Sequence, residues 1–191
     1  MTDHATVSVI AARPGGPGVL ELVRRELPPL RPGEMRVRVH AAGVNRPDAM
    51  QRAGNYAPPP GVTDAIGLEA SGVVEEVGEG VTRLKVGDRV AGAFMPDWIT
   101  GPMTPEVQAT ALGGTVDGVL AEQIALPATG VVKIPEHLTF EEAATLPCAG
   151  VTAWYAQFVG GHILPGDTVL LLGTGGVSIF SLQFAKMAGA R

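Results

Sequence analysis

Six consecutive residues, GTGGVS at Gly173–Ser178, are the stretch of this sequence best suited to chemistry. They follow the apolar run VLLL at Val169–Leu172 and lead into residues with helical spacing. A glycine-rich turn between a strand and a helix brings bare backbone amides against an anion, and the helix start adds partial positive charge there. A nucleotide diphosphate suits such a turn. Gly173 is expected to permit the tight turn, Gly175 the approach of the phosphate, and Gly176 close packing of helix on strand, with Thr174 and Val177 completing the cradle. Ser178 stands where the usual G-x-G-x-x-G pattern has its third glycine; it is small, and its hydroxyl can donate to a phosphate oxygen. Taken alone, the motif also fits a βα turn that holds no ligand.

The other reactive side chains form no constellation. Cys148 is the single cysteine, so there is no internal disulfide and no cysteine cluster for structural zinc. No histidine adjoins it, and it reads as an inert thiol rather than a nucleophile. His4, His40, His137 and His162 show no metal-ligand spacing; His40 falls on a strand face and His137 precedes a helix cap.

The elements that must position these residues change character along the chain. Up to about residue 125 the pattern is β-rich. TVSVIAA (Thr6–Ala12) and VLELVRREL (Val19–Leu27) are β-prone runs separated by the turn RPGGPG. Met35, Val37 and Val39 alternate with Arg36, Arg38 and His40, which predicts a strand with one face buried and the other wet. Arg46–Gly54 fits one or two helical turns. The stretch from Glu69 to Phe94 reads strand, turns, strand, with Gly78, Gly80 and Gly87 at expected positive-φ sites, and Gly118–Pro127 reads as a further strand. Several short strands at this spacing predict a small barrel.

Past Pro127 the pattern turns helical. Thr139 and Glu142 have capping-box spacing, and Pro147 splits the following run into two helices. Val169–Leu172, apolar without alternation, predicts a strand buried on both faces. A helix is expected from about Gly176, with Ile179, Leu182, Phe184, Ala185 and Ala188 on its apolar side. The expected fold class is α/β, with a boundary near residue 128.

Composition excludes several functions. The 191 residues carry a net charge of −5 without a basic run, which argues against nucleic-acid binding. No stretch of about 18 apolar residues is present to span a membrane, and the N-terminus lacks an export signal, so a cytoplasmic location is expected.

The segments AAGVNRPDAMQRAGNY, IGLEASGVVEEVGEGVTRLKVGDRVAG, GVLAEQIALP, LTFEEAATLPCAGVTAWYA and GDTVLLLGTGGVSIFSLQFAKMAGA run in this order from Ala41 toward the C-terminus. Together they resemble the medium-chain dehydrogenase/reductase superfamily, in its zinc-independent, quinone-oxidoreductase-like branch. The resemblance implies a GroES-like barrel over 1–128. It implies linking helices and the first βα unit of a Rossmann domain over 129–191, with substrate and nicotinamide meeting between the domains of an intact relative. It implies NADPH or NADH as cofactor and a quinone, enone, aldehyde or alcohol as the small-molecule partner. A homodimer is a further implication for the intact protein.

Zinc is not expected. Zinc-dependent relatives carry a catalytic cysteine where this sequence has Asn45, a histidine where it has Leu68, and a cysteine where it has Ala149. Cys148 lies one residue away, about 100° around a helix. The structural-zinc lobe is replaced by the cysteine-free stretch from Phe94 to Gly114.

Asn45, Asp48 and Tyr56 match the segment that lines the substrate cleft in the relatives. Asn45 can bond a substrate carbonyl or the nicotinamide ribose, or simply complete a turn. Asp48 can instead favour a first helical turn. Tyr56 can point its hydroxyl into the cleft. Thr152 matches the threonine beside the nicotinamide, and Glu69 follows the position of the missing histidine, with a structural role equally open.

The resemblance implies hydride transfer from NAD(P)H to a polarised acceptor, with an alcohol/aldehyde couple as the alternative. A non-catalytic GroES-like binding or oligomerisation module is the competing class. The residue that would read the ribose, about 20 residues past the loop, falls after Arg191. The sequence is therefore expected to be the front part of a longer protein. Alone, it is expected to bind NADPH weakly or not at all in a nucleotide-fluorescence titration.

Overall fold

The computed structural model describes residues 6–12, 20–55 and 64–191. Alternation in TVSVIAA sets Val7, Val9 and Ala11 on one face of a strand, and all three are buried. This strand, β1 (Thr6–Ala12), pairs antiparallel with β2 (Leu20–Glu26), from Thr6 opposite Glu26 to Ala12 opposite Leu20. Backbone bonds from Ile10 to Leu120 and from Ala12 to Asp64 fasten β1 to later segments of the chain.

A second, five-stranded antiparallel sheet is built from β3 (Glu34–Gly43), β4 (Glu69–Val77), β5 (Arg89–Gly92), β6 (Gln123–Pro127) and β7 (Val131–Lys133), in the order β6-β3-β4-β5-β7. Its inner face supplies Met35, Val37, Val74, Val90, Leu126 and Val131 to one core, closed by Leu112 and Val119. Burying such side chains contributes roughly 1.5–3 kcal/mol each.

The alternation expected in β3 holds for Met35 and Val37, which are buried, and for Arg38 and His40, which are exposed. Arg36 departs from it, with 9% of its surface exposed. The chain after β2 covers this end of the sheet: Arg36 Nη2 donates to the Pro28 carbonyl at 2.8 Å, while Nε donates to Glu76 Oε2 at 3.1 Å. The strand expected over Gly118–Pro127 is shorter and begins at Gln123. Before it, the amides of Gly118, Val119 and Leu120 donate to the carbonyls of Ala65, Gly67 and Ile66 instead of joining the sheet. Gly80 and Gly87 have the expected positive φ; Gly78 does not, and a Cβ there would crowd the carbonyls of Arg31 and Glu34 at 2.6 and 2.8 Å.

Among the described residues this part of the chain has three short α-helices, α1 (Arg46–Arg52), α2 (Pro105–Gln108) and α3 (Phe140–Ala143), and one 3-10 turn at Ala128–Gly130. The capping box at α3 forms as its spacing predicts. Thr139 Oγ1 accepts from the Glu142 amide at 3.1 Å, and Glu142 Oε2 accepts from the Thr139 amide at 2.9 Å. Thr139→Ala is expected to lower stability by about 1 kcal/mol in urea unfolding, with little change for Thr139→Ser.

Contacts divide the chain into compact units at residues 1–144 and 145–191, later than the boundary expected near 128. The reason lies in packing: Val131 of β7 completes the first core, and Ala143 of α3 packs with Ala91 and Ile134.

In the second unit Pro147 sits in the first turn of a new helical run, where its missing amide costs least. That run comprises a π-helical turn at Leu146–Gly150, then α4 (Val151–Trp154), then a second π-helical turn at Tyr155–Gly160. The strand expected at Val169–Leu172 is not part of any ladder among the described residues, and Leu170 and Leu172 are 84% and 83% exposed. A strand buried on both faces needs neighbours on both edges. Here only isolated bonds form, such as Val169 N to Arg191 O at 2.8 Å.

The last helix, α5 (Gly176–Met187), starts where expected. Its buried residues are Ser181 and Ala185, while Ile179 and Leu182 lie exposed, contrary to expectation. The face that packs is the one meeting the preceding helical run, where Gln157 Nε2 donates to the Ser181 carbonyl at 2.9 Å and Phe184 meets Trp154 edge-on. Among the described residues no helix is long and apolar enough to cross a membrane.

Candidate functional site

The first cluster forms where β3 hands over to α1. Asn45 has extended backbone and is the N-cap of α1, with proline in the first turn. Asp48 closes that turn: its Oδ2 accepts from the Asn45 amide at 2.7 Å, and its Oδ1 accepts from the Gly67 amide at 3.0 Å. It thereby ties the helix start to the segment entering β4. Asp48 is buried, and burial holds its carboxyl above the ordinary aspartate range against the opposing pull of these backbone amides.

Asn45 reaches the same segment through its side chain, where Nδ2 donates to Glu69 Oε1 at 2.8 Å. Glu69 opens β4 and is 3% exposed. Gly43, the last residue of β3, makes room for it: a Cβ at residue 43 would overlap the Glu69 carboxylate. One turn along α1, buried Gln51 donates from Nε2 to the Gly113 carbonyl at 2.6 Å. The helix is thus pinned by polar bonds from two successive turns of its buried face.

The structure therefore brings together Asn45, Asp48 and Glu69, all singled out from sequence. Gly43 and Gln51 support them and carried no sequence signal, because each acts through a partner distant along the chain. Tyr56 lies outside the described residues. Leu68, beside Glu69, is buried.

The second cluster is the turn into α5. Gly173 has φ of +78°, as the expected tight turn requires. Gly175 is the N-cap of α5, and no side chain caps the helix there. A Cβ built at Gly173 or Gly175 meets nothing within 4 Å. The helix start is thus uncapped by any side chain and uncrowded at both glycines, and the chemistry of such a turn fits a diphosphate. Thr174, Gly176 and Val177 are exposed beside them.

Two details differ from expectation. The Ser178 hydroxyl donates to the Leu172 carbonyl at 2.9 Å, so its proton closes the turn instead of facing a phosphate. A Cβ on Gly176 would lie 3.3 Å from Ala149 Cβ, so the close approach there is helix against helix, not helix on strand. Thr152 stands exposed on α4, and Cys148 is half-buried in the turn before it.

Among the described residues no three His, Cys, Asp or Glu side chains gather in a way that would hold a metal ion. Asn45 carries an amide, Leu68 an alkyl chain and Ala149 a methyl group.

Known proteins are similar to this chain. The family model for the alcohol dehydrogenase GroES-like domain matches residues 31–136. The chain is 44% identical over 163 residues to a zinc-type alcohol dehydrogenase-like protein of Schizosaccharomyces pombe, covering 84% of this chain and 47% of that protein. It is 38% identical over 180 residues to a quinone oxidoreductase of Pseudomonas aeruginosa, covering 93% of this chain and 48% of that one. The solved structure of a cobalt- and zinc-bound thermostable alcohol dehydrogenase from Pyrobaculum aerophilum superposes with a TM-score of 0.84 at 33% identity, covering 97% of this chain and 58% of that one. The chain thus spans about half the length of the curated relatives it matches. The chain belongs to the alcohol dehydrogenase GroES-like domain family and, with these relatives, to the medium-chain dehydrogenase/reductase superfamily.

Proposed function

We propose that this chain is part of an oxidoreductase that transfers hydride from NADPH or NADH to a quinone, enone or other carbonyl acceptor without zinc. The observation that carries the reading is the open glycine turn at Gly173–Gly176, whose amides meet no side-chain cap at the start of α5. Those amides hold the dinucleotide's diphosphate, and the bound nicotinamide supplies the hydride. Thr152 orients the ring through its hydroxyl. Asn45 contributes an amide whose orientation is fixed by Glu69, and Asp48 holds the backbone beneath it.

Zinc independence is supported by Asn45, Leu68 and Ala149, which offer no thiolate and no imidazole. Negative charge developing on the acceptor oxygen is then met by hydrogen-bond donors or water. A quinone or enone spreads that charge by delocalisation, which lowers the demand on those donors. The likeness to alcohol dehydrogenases favours a second reading, an alcohol/aldehyde couple.

The test is NADPH-dependent reduction of 1,4-benzoquinone by the whole oxidoreductase of which this chain is proposed to be part, followed through nicotinamide absorbance before and after treatment with a chelator. Activity that survives chelation is expected. Activity abolished by the chelator and restored by zinc salts would overturn the zinc-free reading.

Gly175→Val probes the turn directly. Open space around residue 175 lets the protein fold normally, while the added side chain stands where the diphosphate must approach. In the whole oxidoreductase, dinucleotide affinity measured by nucleotide fluorescence is expected to fall by at least about tenfold, or roughly 1.4 kcal/mol. Unchanged affinity would remove the turn from the site.

A further inference from the structure

The half-buried Ser178 side chain closes a loop in the second unit. Its hydroxyl reaches back six positions to the Leu172 carbonyl, with the oxygens 2.9 Å apart. The bond joins the last residue before the glycine turn to the first turn of α5. It encloses Gly173, Thr174, Gly175, Gly176 and Val177.

Such a segment is costly to hold in one shape, because glycine loses more conformational freedom on ordering than any other residue. Packing contributes little here. All five enclosed residues are exposed, and a Cβ at Gly173 or Gly175 meets nothing within 4 Å. No side chain caps the helix at Gly175. The shape is nonetheless definite. Gly173 is left-handed at φ +78°, Gly175 is extended at φ −76° and ψ 173°, and the Gly175 carbonyl accepts from the Ile179 amide at 3.0 Å.

We infer that Ser178 is a positioning residue for dinucleotide binding, an inference that rests on reading this turn as the diphosphate cradle. Its hydroxyl ties the end of Val169–Leu172 to α5 and sets the backbone of Gly173–Gly176 before a ligand arrives. Order imposed in advance is not drawn from the free energy of binding, so the tie raises affinity for a diphosphate. The effect is indirect. A serine hydroxyl has one proton to donate, and this one is committed to Leu172. Where the usual pattern has a glycine that admits close packing, this chain has a side chain that fastens the helix to the run before it.

Helix propensity separates this role from support of α5. Ser178→Ala removes the bond yet favours the helix, since alanine is the better helix former. Loosening of the turn in that variant therefore cannot come from a weaker helix. Ser178→Thr keeps a hydroxyl at the same place.

Two measurements test the assignment. In the 191-residue chain, NMR relaxation reports the order of the turn without any ligand. Ser178→Ala is expected to lower the amide order parameters of Gly173, Thr174 and Gly175 while leaving those of Gln183–Met187 unchanged, and Ser178→Thr to match wild type. In the whole oxidoreductase, calorimetry with ADP-ribose, which carries the diphosphate but no nicotinamide, is expected to show about fivefold weaker binding for Ser178→Ala, the order of one lost hydrogen bond, and wild-type affinity for Ser178→Thr. Undiminished ADP-ribose affinity or an equally ordered turn in Ser178→Ala, or a threonine variant no better than alanine, would overturn the assignment and leave the cradle standing. Wild-type protein that fails to bind ADP-ribose would overturn the cradle and this role with it.

Discussion

Gly72→Ala is expected to destabilise the first unit by about 3–5 kcal/mol, more than ordinary overpacking, because the obstacle is backbone and not a side chain. Gly72 lies in the middle of β4, opposite Val39 of β3 and Val90 of β5. A Cβ there would overlap the Arg38 carbonyl oxygen and stand 2.8 Å from its carbon. Neighbours on both edges leave β4 no room to slide, so β3 and β4 must part. The strain passes along the same two strands to Ala42 opposite Ala70 and Gly43 opposite Glu69. Glu69 would then leave the position from which it accepts the Asn45 amide. Urea unfolding gives the measurement: the midpoint should drop at unchanged m-value. A loss below about 1 kcal/mol would show that β3 and β4 separate easily at this point.

Asp48→Ala is the second large effect. It strips the Gly67 and Asn45 amides of their acceptor at once, and the Gly67 bond is fully buried. Each unsatisfied group costs about 1–3 kcal/mol, so a loss of roughly 2–6 kcal/mol is expected.

The pH dependence follows from burial. Because the folded-state value of Asp48 is raised, the folded protein binds its proton more readily than the unfolded chain does. Its titration therefore contributes stability that is fully present below the unfolded aspartate value and is lost as pH rises through the raised folded value. Asp48→Asn cannot titrate. The stability difference between wild type and Asp48→Asn should shift toward wild type as the solution is acidified through that window, read from urea midpoints at several pH values. A shift in the opposite direction would mean that the backbone amides outweigh burial at this carboxylate.

Elements governed by local rules were legible in the sequence. The box at Thr139 and Glu142, β1, and the start of α5 at Gly176 needed only nearest neighbours along the chain. The turn at Gly173 announced its backbone conformation through its glycines. What depended on distant partners was not legible. Arg36 was placed on a wet face because nothing in its own strand shows that Pro28 returns to cover it. The apolar side of α5 was drawn from periodicity, but periodicity marks every apolar residue and cannot say which of two faces meets a neighbour. Ser181 and Ala185 took the packed side, leaving Ile179 and Leu182 outside. At the candidate site, Asn45 and Asp48 stood out by residue type and resemblance. Gly43 and Gln51 did not, since their contributions are space for Glu69 and a tether to Gly113.

The extended run Val169–Leu172 also bears on how this 191-residue chain is handled when studied by itself. Leu170 and Leu172 are almost wholly exposed in it, and exposed β-prone apolar residues favour intermolecular association. The apparent melting temperature of the isolated chain is therefore expected to move with scan rate and protein concentration. Isothermal urea titration of dilute samples is the measurement suited to equilibrium free energies of this chain.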